Sequence, residues 1–238
     1  MTEAQLIELG RLFETMAALR APEGCPWDLA QTHRSLLPYL LEETYEFIEA
    51  VEEGHDVDMA EELGDLLVEV AMHTAIAADR GAFELGEVAS RAAEKMVARH
   101  PHVFADTHIS SAEQLLTNWD RAKRSEKPQR TSALDGIPDA LPALALAASV
   151  QRRAARASGS AGAPAVDEVR ERLELAAGQE QLAPGREELI GSLLFSVVRL
   201  AGEMGVDPEG ALRRATRSWS TGYRDGERAA GSQPSSRG

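Results

Sequence analysis

Cysteine is nearly missing from this chain: Cys25 is the only one in 238 residues, which excludes an intramolecular disulfide and any cysteine-rich zinc site. Set between Gly24 and Pro26, with no obvious activator, it reads as a small packed thiol in a loop rather than a nucleophile. Aromatic residues make up only 5% of the chain. With Ala, Leu and Glu abundant, that balance favours helices over a β-sandwich or barrel. No apolar run approaches the roughly 18 to 20 residues of a membrane span. The N-terminus, with Glu3 and Glu8, lacks a basic-then-apolar signal pattern, so a cytoplasmic protein with no membrane partner is expected. Positive charge is short as well: 25 Lys and Arg against 39 acids, net −14, which argues against a nucleic-acid polymer as partner.

What remains is a globular chain with 43% hydrophobic residues, enough for one large or two small domains. Its acids are unevenly spread. Residues 1–150 hold 27 acids and 12 Lys and Arg, net −15, whereas residues 151–238 hold 12 and 13, net +1. Unusual chemistry is therefore expected in the first part, in the stretch from Ser35 to about Ala78.

That stretch carries Glu42-Glu43-Thr44-Tyr45-Glu46 and Glu62-Leu63-Gly64-Asp65. On a helix, Glu43 falls in the arc of Leu36, Tyr39, Leu40, Phe47 and Ala50, with Glu46 at its edge; Glu42, Glu49 and Glu53 lie further round, toward water. Glu62, Asp65 and Glu69 form one stripe on the next helix beside Leu63, Leu66 and Val70. Facing these two helices gathers four or five carboxylates, whose repulsion and desolvation cost several kcal/mol per ion, so a cation belongs between them. All-oxygen ligands select a hard divalent ion such as Mg²⁺. An EExxE string alone arises roughly once by chance in so acidic a chain; the paired ExxD and the inward stripe make the case. His73, one turn beyond Glu69, reads better as a hydrogen-bonded core histidine than as an added ligand.

Around this centre, the apolar spacing of Leu6, Leu9, Phe13 and Met16 predicts a helix over 4–20. Residues 21–32, with Pro22, Gly24 and Pro26, form a loop bearing Trp27, Asp28 and Gln31, where an exposed aromatic either holds a base or anchors its own loop. Ser35 is the expected N-cap of the first acidic helix, with Pro38 in its first turn and an end near Gly54. Asp58 and Glu61 are the expected capping box of the second, which runs to about Asp79. A helix over 84–99 ends with Lys95 and Arg99, which suit either the helix dipole or a phosphate. Another follows from Ser110 or Ser111, containing Trp119 and Lys123. Ser125–Gly136 is the expected linker, followed by helices near 141–157, 165–178, 186–204 and 208–223 and a disordered tail. Gly64-Asp65-Leu66-Leu67-Val68-Glu69-Val70 returns as Gly191-Ser192-Leu193-Leu194-Phe195-Ser196-Val197, keeping the apolar positions and losing both acids.

Taken in order, Cys25-Pro26-Trp27-Asp28, Gln31-Thr32-His33, Leu40-Leu41-Glu42-Glu43-Thr44-Tyr45-Glu46, Glu62-Leu63-Gly64-Asp65-Leu66-Leu67, Arg99-His100-Pro101-His102-Val103-Phe104 and Trp119 with Lys123 resemble the MazG family of nucleoside triphosphate pyrophosphohydrolases. The resemblance implies an all-α helical bundle of the all-α NTP pyrophosphatase type, with two tandem modules: a catalytic domain over 1–128 and a second over 129–223, before a tail at 224–238. It implies that Glu43, Glu46, Glu62 and Asp65 hold Mg²⁺, with Mn²⁺ able to substitute. It further implies that Lys95, Arg99, Trp119 and Lys123 contact the nucleoside triphosphate; Trp27, on its exposed loop, is a further substrate-binding candidate. Cleavage between the α- and β-phosphates, release of a nucleoside monophosphate and pyrophosphate, a clean-up role on nucleotide pools and a homodimer are the family-level expectations. The second module departs from the pattern, since Arg172, Leu175, Leu189 and Ser192 replace its acids, and it is expected to be catalytically silent.

Two other classes compete. A ferritin-like di-iron protein needs two ExxH motifs, and the only obvious one, Glu52 to His55, straddles Gly54. A non-catalytic helical nucleotide-binding or interaction protein would use the acids as a docking surface; the retained Lys95, Arg99, Trp119 and Lys123 speak against it.

Overall fold

The computed structural model describes residues 1–105, 114, 118–119, 126–127, 129–159, 164–178 and 185–231. Among them every regular element is a helix, so the chain is all-α. It divides into two compact units, Met1–Lys123 and Arg124–Gly238.

In the first unit, α1 (Glu3–Leu19) opens on a Thr2–Gln5 capping box. A short α2 (Pro26–Ala30) precedes the hairpin of α3 (Leu37–Glu53) and α4 (Asp56–Asp79), and α5 (Leu85–Arg99) and α6 (Pro101–Phe104) follow. The hairpin turns at Gly54, whose φ of 74° is the left-handed conformation that glycine adopts without a Cβ penalty. Both α1 and α3 pack on α4. Their core is Met16, Leu36, Ala71, Met72 and Ile76, flanked by Leu12, Phe13, Leu19 and Val68. Leu6, expected on the core face, is instead exposed.

Two helix starts differ from expectation. Ser35 does not cap α3; the N-cap is Leu36, in αR conformation with no side-chain bond. The Ser35 hydroxyl is occupied one step earlier, accepting from Thr32 N–H at 2.9 Å and donating to Gln31 Oε1 at 2.6 Å. Helix α4 begins at Asp56 after His55, two residues ahead of the expected Asp58 box. Asp58 sits in that first turn, 3.2 Å from the His55 ring.

The second unit repeats the scheme. Helix α8 (Ala165–Gly178) pairs with α9 (Arg186–Glu203), α7 (Ala143–Ser158) also packs on α9, and α10 (Pro208–Gly231) packs on α7 and α9. The α8 N-terminus is tied down by Glu203, whose carboxylate accepts Ala165 N–H at 3.1 and 3.2 Å, a favourable charge at a helix start. Part of the expected linker is ordered: Asp135 accepts from Thr131 and Ser132 N–H at 2.8 and 2.9 Å, which holds its carboxyl below the usual range. Helix α10 continues to Gly231, beyond the expected end at Tyr223. Residues 224–230 are rich in Arg, Glu and Ala, which extend a helix readily. No single described helix is long and apolar enough to cross a membrane.

Candidate active site

Helix α3 turns Leu36, Leu40, Glu43, Phe47 and Ala50 inward, all at least half-buried, an i, i+4, i+7 stripe in which one position is an acid. Helix α4 presents half-buried Glu62 and Asp65 and buried Glu69 on one face. Packing the two helices brings Glu43, Glu62 and Asp65 together, with a carboxylate oxygen from each within 4.8 Å of the others. Glu46 lies outside this triad and is exposed, yet its charge still acts on Glu43 and Glu62.

The electrostatics record the crowding. Burial pushes the Glu43 carboxyl up, Asp65, Glu46 and Glu42 push further, and a hydrogen bond with Glu62 offsets part of the rise. Glu62 is raised by burial, then by Glu46, Glu43, Asp65 and Glu61. One oxygen, Glu62 Oε2, is buried with no hydrogen-bond partner. A set of oxygen donors that repel one another, one of them unsatisfied, fits a hard divalent cation.

The triad is continued along α4 by Glu69 and His73. Glu69 is only 7% exposed, and burial raises its pKa. His73 Nδ1 lies 2.8 Å from His33 Nδ1, with the rings stacked, which is the hydrogen-bonded role expected of it. His33 as its partner was not legible, because nothing in a separation of 40 residues signals a contact. Beyond them opens a cavity of about 390 Å³ lined by Arg20, Gln31, Thr32, His33, Arg34, Ile76, Asp79 and Arg80.

Arg20 fixes the loop that carries Trp27. Its buried guanidinium binds Asp79 at 2.8 and 3.2 Å and reaches the Asp28 and Gln31 carbonyls at 2.5 and 3.4 Å. Gly24 lies so close to the Leu19 carbonyl that a Cβ would collide with it. Trp27 itself stays 55% exposed, edge-on to Tyr39.

The expected phosphate contacts lie on α5 and beyond. Lys95 is exposed. Arg99 lies 5.1 Å over the Trp119 ring, and His100 meets the same ring edge-on. Lys123 falls outside the described residues, as does most of the helix expected around it.

The second unit has no such triad among its described residues. Arg172 pairs with Glu168 at 3.5 Å, Glu168 also holds Arg199 at 2.9 Å, and Leu175 is exposed. Ser192 and Ser196, in register with Asp65 and Glu69, turn their hydroxyls back onto the Leu189 and Ser192 carbonyls.

Comparison with known proteins agrees with this architecture. Residues 31–104 match the MazG nucleotide pyrophosphohydrolase domain. The nucleoside triphosphate pyrophosphohydrolase/pyrophosphatase MazG of Thermotoga maritima is 42% identical over 222 residues, covering 89% of this chain and 84% of that protein. The nucleoside triphosphate pyrophosphohydrolase of Escherichia coli is 37% identical over 230 residues, covering 93% and 88%. A protein of the same name from Mycobacterium tuberculosis is 46% identical over 134 residues, covering 56% and 41%. With most of its length shared with such proteins, this chain belongs to the MazG family of nucleotide pyrophosphohydrolases.

Proposed function

We propose that the protein is a Mg²⁺-dependent nucleoside triphosphate pyrophosphohydrolase, acting on NTPs or dNTPs in nucleotide-pool clean-up, with its active site in the first unit. The observation that carries this reading is the convergence of Glu43, Glu62 and Asp65 with an unsatisfied Glu62 oxygen. These three residues, joined by Glu46, would hold the metal, and Mn²⁺ has the same ligand preference. The bound ion supplies charge neutralisation for the triphosphate and acidifies a water. Lys95, Arg99 and Lys123 take the phosphates, where fixed cations stabilise the charge that grows on the leaving group. Trp119 and Trp27 take the nucleoside. Water adds to the α-phosphorus, the α–β P–O bond breaks, and the bridging oxygen leaves with pyrophosphate. The proton from water passes to a carboxylate at the edge of the cluster, leaving nucleoside monophosphate as the second product.

In this reading the second unit is catalytically silent, because guanidinium, leucine and serine groups stand where the ligands would be. The domain scheme is catalytic residues 1–128 followed by a degenerate module over 129–223. A homodimer is supported by the exposed apolar side chains Leu41, Tyr45, Leu63, Leu67 and Val70 on the α3–α4 hairpin, a surface that gains by being covered. A cytoplasmic setting, where nucleoside triphosphates are abundant, fits the same reading.

The test is an end-product assay on a panel of NTPs and dNTPs, with and without Mg²⁺, resolving monophosphate, diphosphate, pyrophosphate and phosphate. Metal-dependent monophosphate plus pyrophosphate is expected, and Glu62→Ala should abolish it. Diphosphate plus phosphate, or full activity in Glu62→Ala, refutes the assignment.

A further inference from the structure

Between the triad and the cavity lies a chain of three polar side chains that metal binding leaves unused. Glu69 Oε2 and His73 Nε2 are both buried without a hydrogen-bond partner, and they face each other at 3.9 Å. On its other side His73 shares the 2.8 Å Nδ1 to Nδ1 bond with His33. Such a bond holds one proton, so the role of each nitrogen follows from its neighbours. At 3.9 Å the two do not hydrogen-bond, but a carboxylate charge that close favours the His73 tautomer that turns its N–H toward Glu69. His73 Nδ1 is then bare and accepts from His33 Nδ1–H. That tautomer leaves the lone pair of His33 on Nε2, and His33 is one of the residues that line the cavity. Burial and the neighbouring His33 both hold His73 toward its neutral form, as one shared proton requires.

His73 lies eight residues beyond Asp65, about 12 Å along α4 at 1.5 Å per residue. A triphosphate held at the carboxylates and directed along α4 would carry its nucleoside that far. The cavity of about 390 Å³ is in the range of small-molecule sites. Gln31, which also lines it, holds the Trp27 carbonyl at 3.1 Å.

Building on the proposed pyrophosphohydrolase reading, we infer that His33 Nε2 accepts a hydrogen bond from an N–H or O–H of the substrate's nucleoside, with Glu69 and His73 acting as positioning residues that set its tautomer. His33 is thereby a specificity-determining residue, separate from the groups that bind metal and phosphate.

The test compares His33→Asn, which keeps a group at the Nδ1 position and removes the outward acceptor, with His33→Gln, whose amide oxygen reaches the Nε2 position. At pH 8 with Mg²⁺, binding of α,β-methylene nucleotides, inhibition by inorganic tripolyphosphate, and kcat and KM are measured for each. His33→Asn should weaken nucleotide binding and raise KM about tenfold, with kcat within about twofold and tripolyphosphate inhibition unchanged. His33→Gln should recover most of the loss. If the penalty disappears with deoxynucleotides, the donor is the 2′-hydroxyl; if it persists, the donor is a base N–H or the 3′-hydroxyl, and either result upholds the contact. Equal losses for nucleotide and tripolyphosphate, unchanged nucleotide binding, or an Nε2–H tautomer of His33 in ¹H–¹⁵N NMR would overturn it. Wild-type protein that binds nucleotide without cleaving it defeats the pyrophosphohydrolase reading and leaves this comparison intact; wild-type protein that binds none defeats both.

Discussion

Replacing Arg20 by Met retains most of the aliphatic stem and removes the guanidinium that joins α1, the Trp27 loop and α4. Its partners contribute unequally. Asp79 accepts two of its N–H groups on the single oxygen Oδ2 but has 51% of its side chain exposed, so water takes over much of the carboxylate's solvation and the pair is worth at most about 1 kcal/mol. The Asp28 carbonyl, at 2.5 Å from a buried charged donor, accounts for about 1.5–3 kcal/mol, and the Gln31 carbonyl at 3.4 Å adds little. Arg20→Met should therefore cost about 3 kcal/mol, against about 0.5–1 kcal/mol for Asp79→Asn. With a urea slope near 2 kcal/mol/M, the larger loss moves the first unit's midpoint by about 1.5 M. Urea titrations of both single variants and the double variant, followed by circular dichroism, give each cost and a coupling energy no larger than about 1 kcal/mol. If Asp79→Asn costs as much as Arg20→Met, the salt bridge rather than the loop carbonyl carries the clamp, and the reasoning fails.

Three further expectations concern metal, backbone and the second unit. The Glu43 and Glu62 carboxyls are raised in the fold above their ordinary 4.5, so between 4.5 and the folded values the native state binds more protons than the unfolded one. Their contribution to stability therefore falls as pH rises through that window. Thermal melts in chelator should show this decline in wild type and lose it in Glu43→Gln/Glu62→Gln; Mg²⁺ at a hundred times its Kd should add about 2.7 kcal/mol to wild type, and equal slopes in the two proteins would refute the electrostatic account. Gly24→Ala drives a methyl into the Leu19 carbonyl and should cost roughly 1–3 kcal/mol while raising KM through the displaced Trp27 loop; an unchanged melting temperature would show that the close approach is dispensable. Arg172→Ala should leave turnover unchanged and alter stability by no more than about 1 kcal/mol, and a loss of activity in that variant would contradict the assignment of catalysis to the first unit.

The acidic helices were legible because their signal is local. Glu43 shares a 3.6-residue stripe with Leu36, Leu40 and Phe47, so an inward carboxylate can be read without knowing what it faces. Glu46, at the edge of that stripe, is where the reading blurs: one position of rotation separates the half-buried Glu43 from an exposed neighbour. Helix starts were misplaced where side chains had competing partners. Ser35 has the right chemistry for a cap, but Thr32 and Gln31 claim its hydroxyl first. Long-range polar pairs were not legible at all. Arg20 meets Asp79 across 59 residues and His33 meets His73 across 40, and no periodicity encodes either contact.

The replacement of the second unit's acids by serines and arginines changes what that half can sense. The Ser192 and Ser196 hydroxyls bond back to their own helix and the Arg172 and Arg199 guanidiniums sit against Glu168, so among the described residues no cluster of like charges there waits for a cation. Trp27 and Trp119 belong to the unit that holds the carboxylate triad and Trp219 to the other. Under the proposed metal binding the chain has an internal standard: on chelation, the emission of two tryptophans should respond while the third holds a steady baseline, in the same molecule and the same cuvette.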